Sequence, residues 1–269
     1  MSTQLLNIVK QGEVAWVAFN RPQDRNSINS QLMAEFLELL EELEQGPARA
    51  VVFTGAGDTH FIGGADGIEM MQLDLEGGRQ FSRRFQAMLD RMEASPLLLV
   101  AAINGLCFGG GFEFALACDL RVAEAKARIG LPEVKVGLIP GGGGTQRLPA
   151  LVGSGRAMQM ILSGRLYGGT EAETLGLVHL CVADGGLAGG VDQVLAPILR
   201  QPQYALSLAK RAVKSYGRGG LEQGLIAEAE LFSQCHAGGW FHDLMIEQLK
   251  SGALTTSADV RHLLKEDAS

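Results

Sequence analysis

The chain has 269 residues, a formal net charge of −7, 46% hydrophobic residues and four cysteines, Cys107, Cys118, Cys181 and Cys235, none of them in a C-x-x-C pair. A chain of this length buries a sizeable core without staples, so neither a disulfide framework nor a zinc site is indicated, and buried free thiols in a reducing compartment are expected. The acidic balance disfavours nucleic acid and anionic membrane as main partners, and the longest apolar run, residues 97–103, is too short to span a bilayer.

The N-terminus lacks a basic stretch leading into an apolar one, so a cytoplasmic location is expected. Residues 5–10 and 14–20 read as a β-hairpin across the turn at Gln11 and Gly12, ended by Asn20, Arg21 and Pro22. After loop residues 24–27, Asn29 or Ser30 can cap a helix whose apolar stripe is Leu32, Phe36, Leu39, Leu40 and Leu43, and Gly46 with Pro47 stops it. A short buried strand at 50–54 opens onto a glycine-rich loop, 55–67. Within it Gly63, Gly64 and Ala65 form a side-chain-poor turn where backbone N–H groups can meet a ligand.

Gly77 and Gly78 introduce a helix over 79–94 with the stripe Phe81, Phe85, Met88, Leu89 and Met92, broken at Ser95 and Pro96. A strand at 97–103 then runs into Gly109, Gly110 and Gly111 and the start of a helix at 112–116. A helix start presents unpaired N–H groups and a partial positive charge, so a side-chain-free junction there suits a developing anion. Glu113, three residues after Gly110, adds an acid or base about one turn in. A strand at 118–123 follows, and strand, helix, strand alternation of this size favours an α/β fold. Four glycines, 141–144, precede another helix without the lysine and hydroxyl of a phosphate loop, and the G-x-G-x-x-G dinucleotide reading fares no better without its acidic residue after the next strand. Helical patterns return at 155–162 and at 170–176, where Thr170 and Glu173 fit a capping box, then comes a strand at 177–182 and a helix at 187–199. Gln201 and Pro202 form the best linker, dividing residues 1–200 from a helical region, 201–269, with helices at 204–216, 221–235 and 241–250.

These pieces occur together: Asn20, Arg21 and Pro22; Gly64, Ala65 and Asp66; Asn104 and Gly105 with the three glycines and Glu113; Cys118 and Asp119; Pro132 and Glu133; and the run from Gly137 to Leu148. In this order and spacing they resemble the crotonase, or enoyl-CoA hydratase/isomerase, superfamily. The resemblance is close over about 14–182 and looser beyond. It implies an α/β spiral of ββα units with two roughly perpendicular sheets, and a helical C-terminal region used to build a homotrimer or homohexamer. It implies an acyl-CoA thioester as substrate, with no cofactor besides the coenzyme A carried by that substrate. The thioester oxygen is then held by the backbone N–H groups of Ala65 and Gly110, with Gly64, Asp66, Gly109 and Gly111 lining the substrate.

Family members differ in the acid and base they keep, and hydratases resemble one another in having glutamates at the positions of both Glu113 and Glu133. Syn addition of water to a conjugated C=C needs one group to take a proton from water and one to supply a proton at Cα. Glu113 is assigned to the water and Glu133 to Cα. Isomerisation between Δ3 and Δ2 enoyl-CoA, or decarboxylation or dehydration of a branched acyl thioester, are the alternatives, and a non-catalytic acyl-CoA binder is a third class.

The chain also departs from the family pattern. Many members have a lysine after the Ala65–Asp66 pair that helps hold the CoA phosphates; here Gly67 and Ile68 follow, and Arg25 is the candidate substitute. The segment 235–240, Leu244 with Met245, and 251–260 also differ, which points to a substrate other than a simple straight-chain enoyl group. His236 and His242 in this region are expected to be surface or packing residues, and His60, His179 and His262 show no mutual metal-binding spacing.

Overall fold

The computed structural model describes residues 5–256, which divide into two compact units between Arg200 and Gln201. The first opens on the expected hairpin, β1 (Leu6–Gln11) antiparallel to β2 (Val14–Phe19). Alternation along β2 buries Ala15, Val17 and Phe19. Helix α1 (Ser30–Gln45) begins where Asn29 Oδ1 accepts from the Leu32 N–H at 2.8 Å, and it buries Met33 with the five residues of the expected stripe. Then come β3 (Ala50–Gly55), β4 (His60–Ile62), α2 (Gly67–Met70), α3 (Leu75–Ala94), β5 (Leu98–Ile103), β6 (Leu106–Phe108), α4 (Gly110–Ala117), β7 (Leu120–Glu124) and β8 (Arg128–Gly130). A 3-10 turn (Glu133–Val136), α5 (Gly144–Val152), α6 (Ser154–Ser163), β9 (Tyr167–Gly168), α7 (Gly169–Thr174), β10 (Leu180–Val182) and α8 (Leu187–Leu199) complete this unit.

The strands sort into two sheets. One has six strands in the order β1-β2-β3-β5-β7-β10, parallel except at the first hairpin, and the other has four in the order β4-β6-β8-β9. The chain therefore visits the large sheet, then the small sheet, then a helix, three times over: β3, β4, α3; β5, β6, α4; β7, β8, α5. This is the expected ββα spiral. Because β4, β6 and β8 are neighbours and parallel, their carboxyl ends open side by side, the place where α/β sheets receive ligands. Beneath that edge the core is aromatic. Phe114 on α4 packs edge-on against Phe19 and Phe53, each with ring centroids at 5.1 Å, and against Phe36 at 5.4 Å.

Several expectations are corrected. The loop 55–67 contains strand β4, and α2 begins at its end, since two asparagines organise it. Asn26 Nδ2 donates to the Ala56 and His60 carbonyls, while Asn104 pairs with both backbone groups of Gly55. Helix α3 starts at Leu75 rather than at 79, with Asp74 Oδ1 accepting from the Gly77 N–H, so both glycines lie inside the helix. The capping box does not form. α7 begins at Gly169, its cap Gly168 contributes no side chain, and Glu173 Oε1 instead accepts from the Cys181 N–H. The strand expected at 118–123 is shifted to β7, starting two residues later and ending one later, because Asp119 Oδ2 takes the Leu99 N–H before β7 starts, and that expected at 177–182 is shortened to β10, because the 177 and 178 N–H groups cap α7 at the Ala172 carbonyl.

The second unit comprises α9 (Gln203–Ala237) and α10 (Trp240–Ser251). Gly220, at φ 73° and ψ −179°, interrupts α9 where two separate helices are expected. The segment beyond residue 256, with His262, lies outside the described residues.

Candidate active site

Three turns leave the small sheet in adjacent positions and deliver one functional group each. After β4, Gly64 at φ +93° leads into Ala65, whose chain is held by Ile28: the Ile28 N–H donates to the Gly64 carbonyl at 2.9 Å and the Asp66 N–H to the Ile28 carbonyl at 2.8 Å. The Ala65 N–H between them points away from this pairing. After β6, Gly109 at φ +57° turns the chain into α4, leaving the Gly110 N–H at the helix start. Neither N–H donates to an acceptor among the described residues. They face one small space, since a Cβ on Gly110 would lie 3.2 Å from Ala65 N, and one on Gly64 would lie 3.9 Å from Gly110 N.

Glu113 is the one charged residue of α4, a helix whose eight residues are all buried. It is only 2% exposed, yet its carboxylate is received by the glycine run after β8. Oε1 accepts from the Gly142 N–H at 2.8 Å and the Gly144 N–H at 2.7 Å. A Cβ on Gly142 would stand 2.8 Å from Glu113 Oε2 and 2.5 Å from Phe85, and one on Gly144 would stand 3.0 Å from Glu113 Oε1. The run is therefore a cage for a carboxylate. Burial raises the Glu113 pKa above the ordinary carboxylate range, opposed by those backbone donors and by the Arg147 charge.

Glu133 follows β8 at the head of the 3-10 turn. Both its carboxylate oxygens are shielded from solvent and neither has a hydrogen-bond partner among the described residues. A Cβ on Gly109 would be 3.3 Å from Glu133 Oε1, so this carboxylate stands beside the turn that carries the Gly110 donor. Burial, opposed by its own backbone N–H dipole and reinforced by the Glu113 charge, pushes its pKa up to about 7. The two glutamates thus interact, one anchored by backbone donors and the other without any.

A family model described as enoyl-CoA hydratase/isomerase matches residues 9–240. This chain belongs to that family. It is 36% identical over 235 residues to the short-chain-enoyl-CoA hydratase of Clostridium acetobutylicum, covering 86% of this chain and 90% of that protein. The crystal structure of the enoyl-CoA hydratase from Bacillus anthracis superposes with a TM-score of 0.84 at 32% identity, covering 92% of this chain and 97% of that one. A Thermobifida fusca structure in complex with CoA superposes with a TM-score of 0.77 at 30% identity, over 87% and 93% of the two chains.

The other candidate residues of this enoyl-CoA hydratase/isomerase family member fall into different positions. Asp66 caps α2, with Oδ1 accepting from the Ile68 and Glu69 N–H groups, and Oδ2 pairs with Arg21 at 2.8 Å. Burial opposes its ionisation, but Arg21 and the two N–H groups prevail and hold its pKa below the usual range. Gly111 packs α4 onto β4, since a Cβ there would collide with the Ile62 carbonyl at 2.0 Å. Arg25 is exposed and left-handed, at φ 60°, with its carbonyl accepting from the Gly63 N–H. His60, near Arg25, has its pKa lowered by burial and by the Arg25 charge. In the second unit His236 lies against Phe232 and Phe241, at 5.2 and 5.7 Å, and His242 is exposed beside Asp243. Among the described residues no helix is long and apolar enough to cross a membrane.

Sequence reasoning did not assign the glycine run 141–144 to Glu113, nor Arg147 to that run. Arg147 donates to the Gly142 carbonyl at 2.9 Å while pairing with Glu93 and Asp90 on α3, at 3.0 and 2.8 Å. A buried acid on an otherwise apolar helix was the available signal, because such a group requires donors from elsewhere in the chain.

Proposed function

We propose that this chain is a 2-enoyl-CoA hydratase that adds water across the α,β double bond of an acyl-CoA thioester without a further cofactor. The observation that carries this reading is the pair of carboxyl groups beside an unpaired amide cradle: Glu113 with two backbone donors, Glu133 with none. Donors on Glu113 favour its carboxylate, while the unpartnered Glu133 retains a proton to higher pH. That is the division of labour hydration requires. The Ala65 and Gly110 N–H groups receive the thioester oxygen, where negative charge grows as the enolate forms; one such donor is worth about 2.7–4 kcal/mol. Glu113 takes a proton from water as its oxygen bonds to Cβ, and Glu133 gives its proton to Cα. Transfer of the proton from Glu113 back to Glu133 resets the pair.

The assay is loss of the conjugated thioester absorbance on incubation with crotonyl-CoA and with longer and branched enoyl-CoAs. Glu113→Gln and Glu133→Gln should each lower the rate by about 10²-fold or more. A change within about threefold for either variant removes its assigned role. kcat/KM should be bell-shaped in pH. Its acidic limb reports ionisation of Glu113, above the ordinary carboxylate range, and its alkaline limb, near 7, reports loss of the Glu133 proton. Product mass separates the alternatives: gain of one water for hydration, no change for isomerisation, and a loss for decarboxylation or dehydration. Tight CoA-ester binding without turnover across the whole panel would identify a binding protein instead.

A further inference from the structure

The glycine run that holds Glu113 is built from the residue with the greatest backbone freedom, so its two donors point at the carboxylate only if something else fixes their peptide planes. Three contacts do so. The peptide carrying the Gly142 N–H has the Gly141 carbonyl at its other end, and that oxygen accepts from Ser82 Oγ at 2.7 Å and from Gln86 Nε2 at 2.8 Å. The next carbonyl, of Gly142, accepts from Arg147. The third, of Gly143, takes the Gln146 and Arg147 N–H groups that begin α5.

Ser82 and Gln86 stand four residues apart on one face of α3, with Phe85 between them, and Gln86 Nε2 is also 3.2 Å from Ser82 Oγ. Phe85 is the side chain a Cβ on Gly142 would strike at 2.5 Å, and a Cβ on Gly110 would meet it at 3.2 Å. This face of α3 therefore touches both the amide cradle and the carboxylate cage.

We propose that Ser82 and Gln86 are positioning residues for Glu113: by hydrogen-bonding the Gly141 carbonyl they orient and polarise the Gly142 N–H that the carboxylate accepts. Two physical effects act together. The peptide is planar and trans, so fixing its oxygen fixes the opposite N–H direction. Donors on a carbonyl draw charge through the amide, and the N–H at the far end becomes a stronger donor, by about 10–30% per bond. Among the described residues neither side chain hydrogen-bonds the carboxylate itself. Ser82 is only partly buried and Gln86 is exposed, so truncating them leaves the packing of α3 intact.

The proposal rests on Glu113 being the base of the reading above, and the test separates the two. Ser82→Ala, Gln86→Ala and the double variant are assayed with crotonyl-CoA across pH. In the double variant the acidic limb of kcat/KM should move up by about half a pH unit, with the alkaline limb in place. kcat at pH 6 should fall by up to about threefold and KM stay within about twofold. Ser82→Thr, which keeps the hydroxyl, should behave as the parent. An acidic limb that does not move, both limbs moving together, or a change in KM alone overturns the proposal. Infrared titration of the Glu113 carboxyl, identified as the band missing in Glu113→Gln, needs no substrate. If that titration moves up in the double variant while the parent fails to hydrate any enoyl-CoA, positioning stands and the hydratase reading falls. If the parent hydrates and the titration does not move, positioning falls.

Discussion

Glu133 is an acid whose surroundings favour its neutral form, and this has a consequence for stability that can be measured without substrate. In the unfolded chain it ionises near its ordinary value of 4.5, whereas in the folded protein it keeps its proton up to about 7. Between those values the folded state binds a proton that the unfolded state has released, so stability is full below pH 4.5 and declines as pH rises through 7. Each pH unit of that window is worth about 1.36 kcal/mol, which sets a ceiling of about 3.4 kcal/mol. Relaxation of the surroundings and entry of water around the charge reduce this, leaving about 1–2 kcal/mol. Glu133→Gln keeps the shape, removes the titration and relieves Glu113 of a like charge. The variant and parent should unfold alike at pH 5, and the variant should be the more stable at pH 8, by about 2–6 °C in Tm. The assay is thermal unfolding of both proteins at equal concentration at the two pH values. A Tm difference that is equal at pH 5 and pH 8, or larger at pH 5, would refute the claim that this carboxyl is held neutral by its surroundings.

The amide cradle is tested by Gly110→Ala. Its new methyl would lie 3.2 Å from Ala65 N, over the space between the two donors, and kcat should fall by about 10²–10³ with a smaller change in KM. A fall of less than about threefold in steady-state assays would mean that the reacting oxygen binds elsewhere. Asn29→Ala removes the side chain that accepts from the Leu32 N–H and should cost about 1 kcal/mol, a Tm loss of roughly 2–4 °C by calorimetry. An unchanged Tm would show that water replaces the cap at no cost.

The parts of the fold that could be read along the chain are those whose signal is local. α1 and α3 carry apolar stripes long enough to reveal the helical period, and β3 and β5 are continuous buried runs. The small sheet was hidden because β4, β6 and β8 have three residues each, too few for an alternation to be seen against the surrounding glycines. The Thr170 and Glu173 spacing suited a cap, yet the Cys181 N–H of β10 competed for the glutamate and prevailed.

The sequence by itself determined which groups are present: two glutamates, two turns without side chains, and the family in which such groups occur together. It also determined where the chain must turn, since glycine is the residue that tolerates the positive φ of Gly64 and Gly109 at low cost. Only the tertiary structure decided how the groups differ. Glu113 and its donors Gly142 and Gly144 are 29 and 31 residues apart, and Asp66 is 45 from the Arg21 that claims it. A carboxylate's proton affinity is set by the donors and solvent within a few ångströms of it, and spacing along the chain carries no record of those. Two identical side chains thus become a carboxylate held by backbone donors and an acid held by none, once the spiral brings three strand ends together.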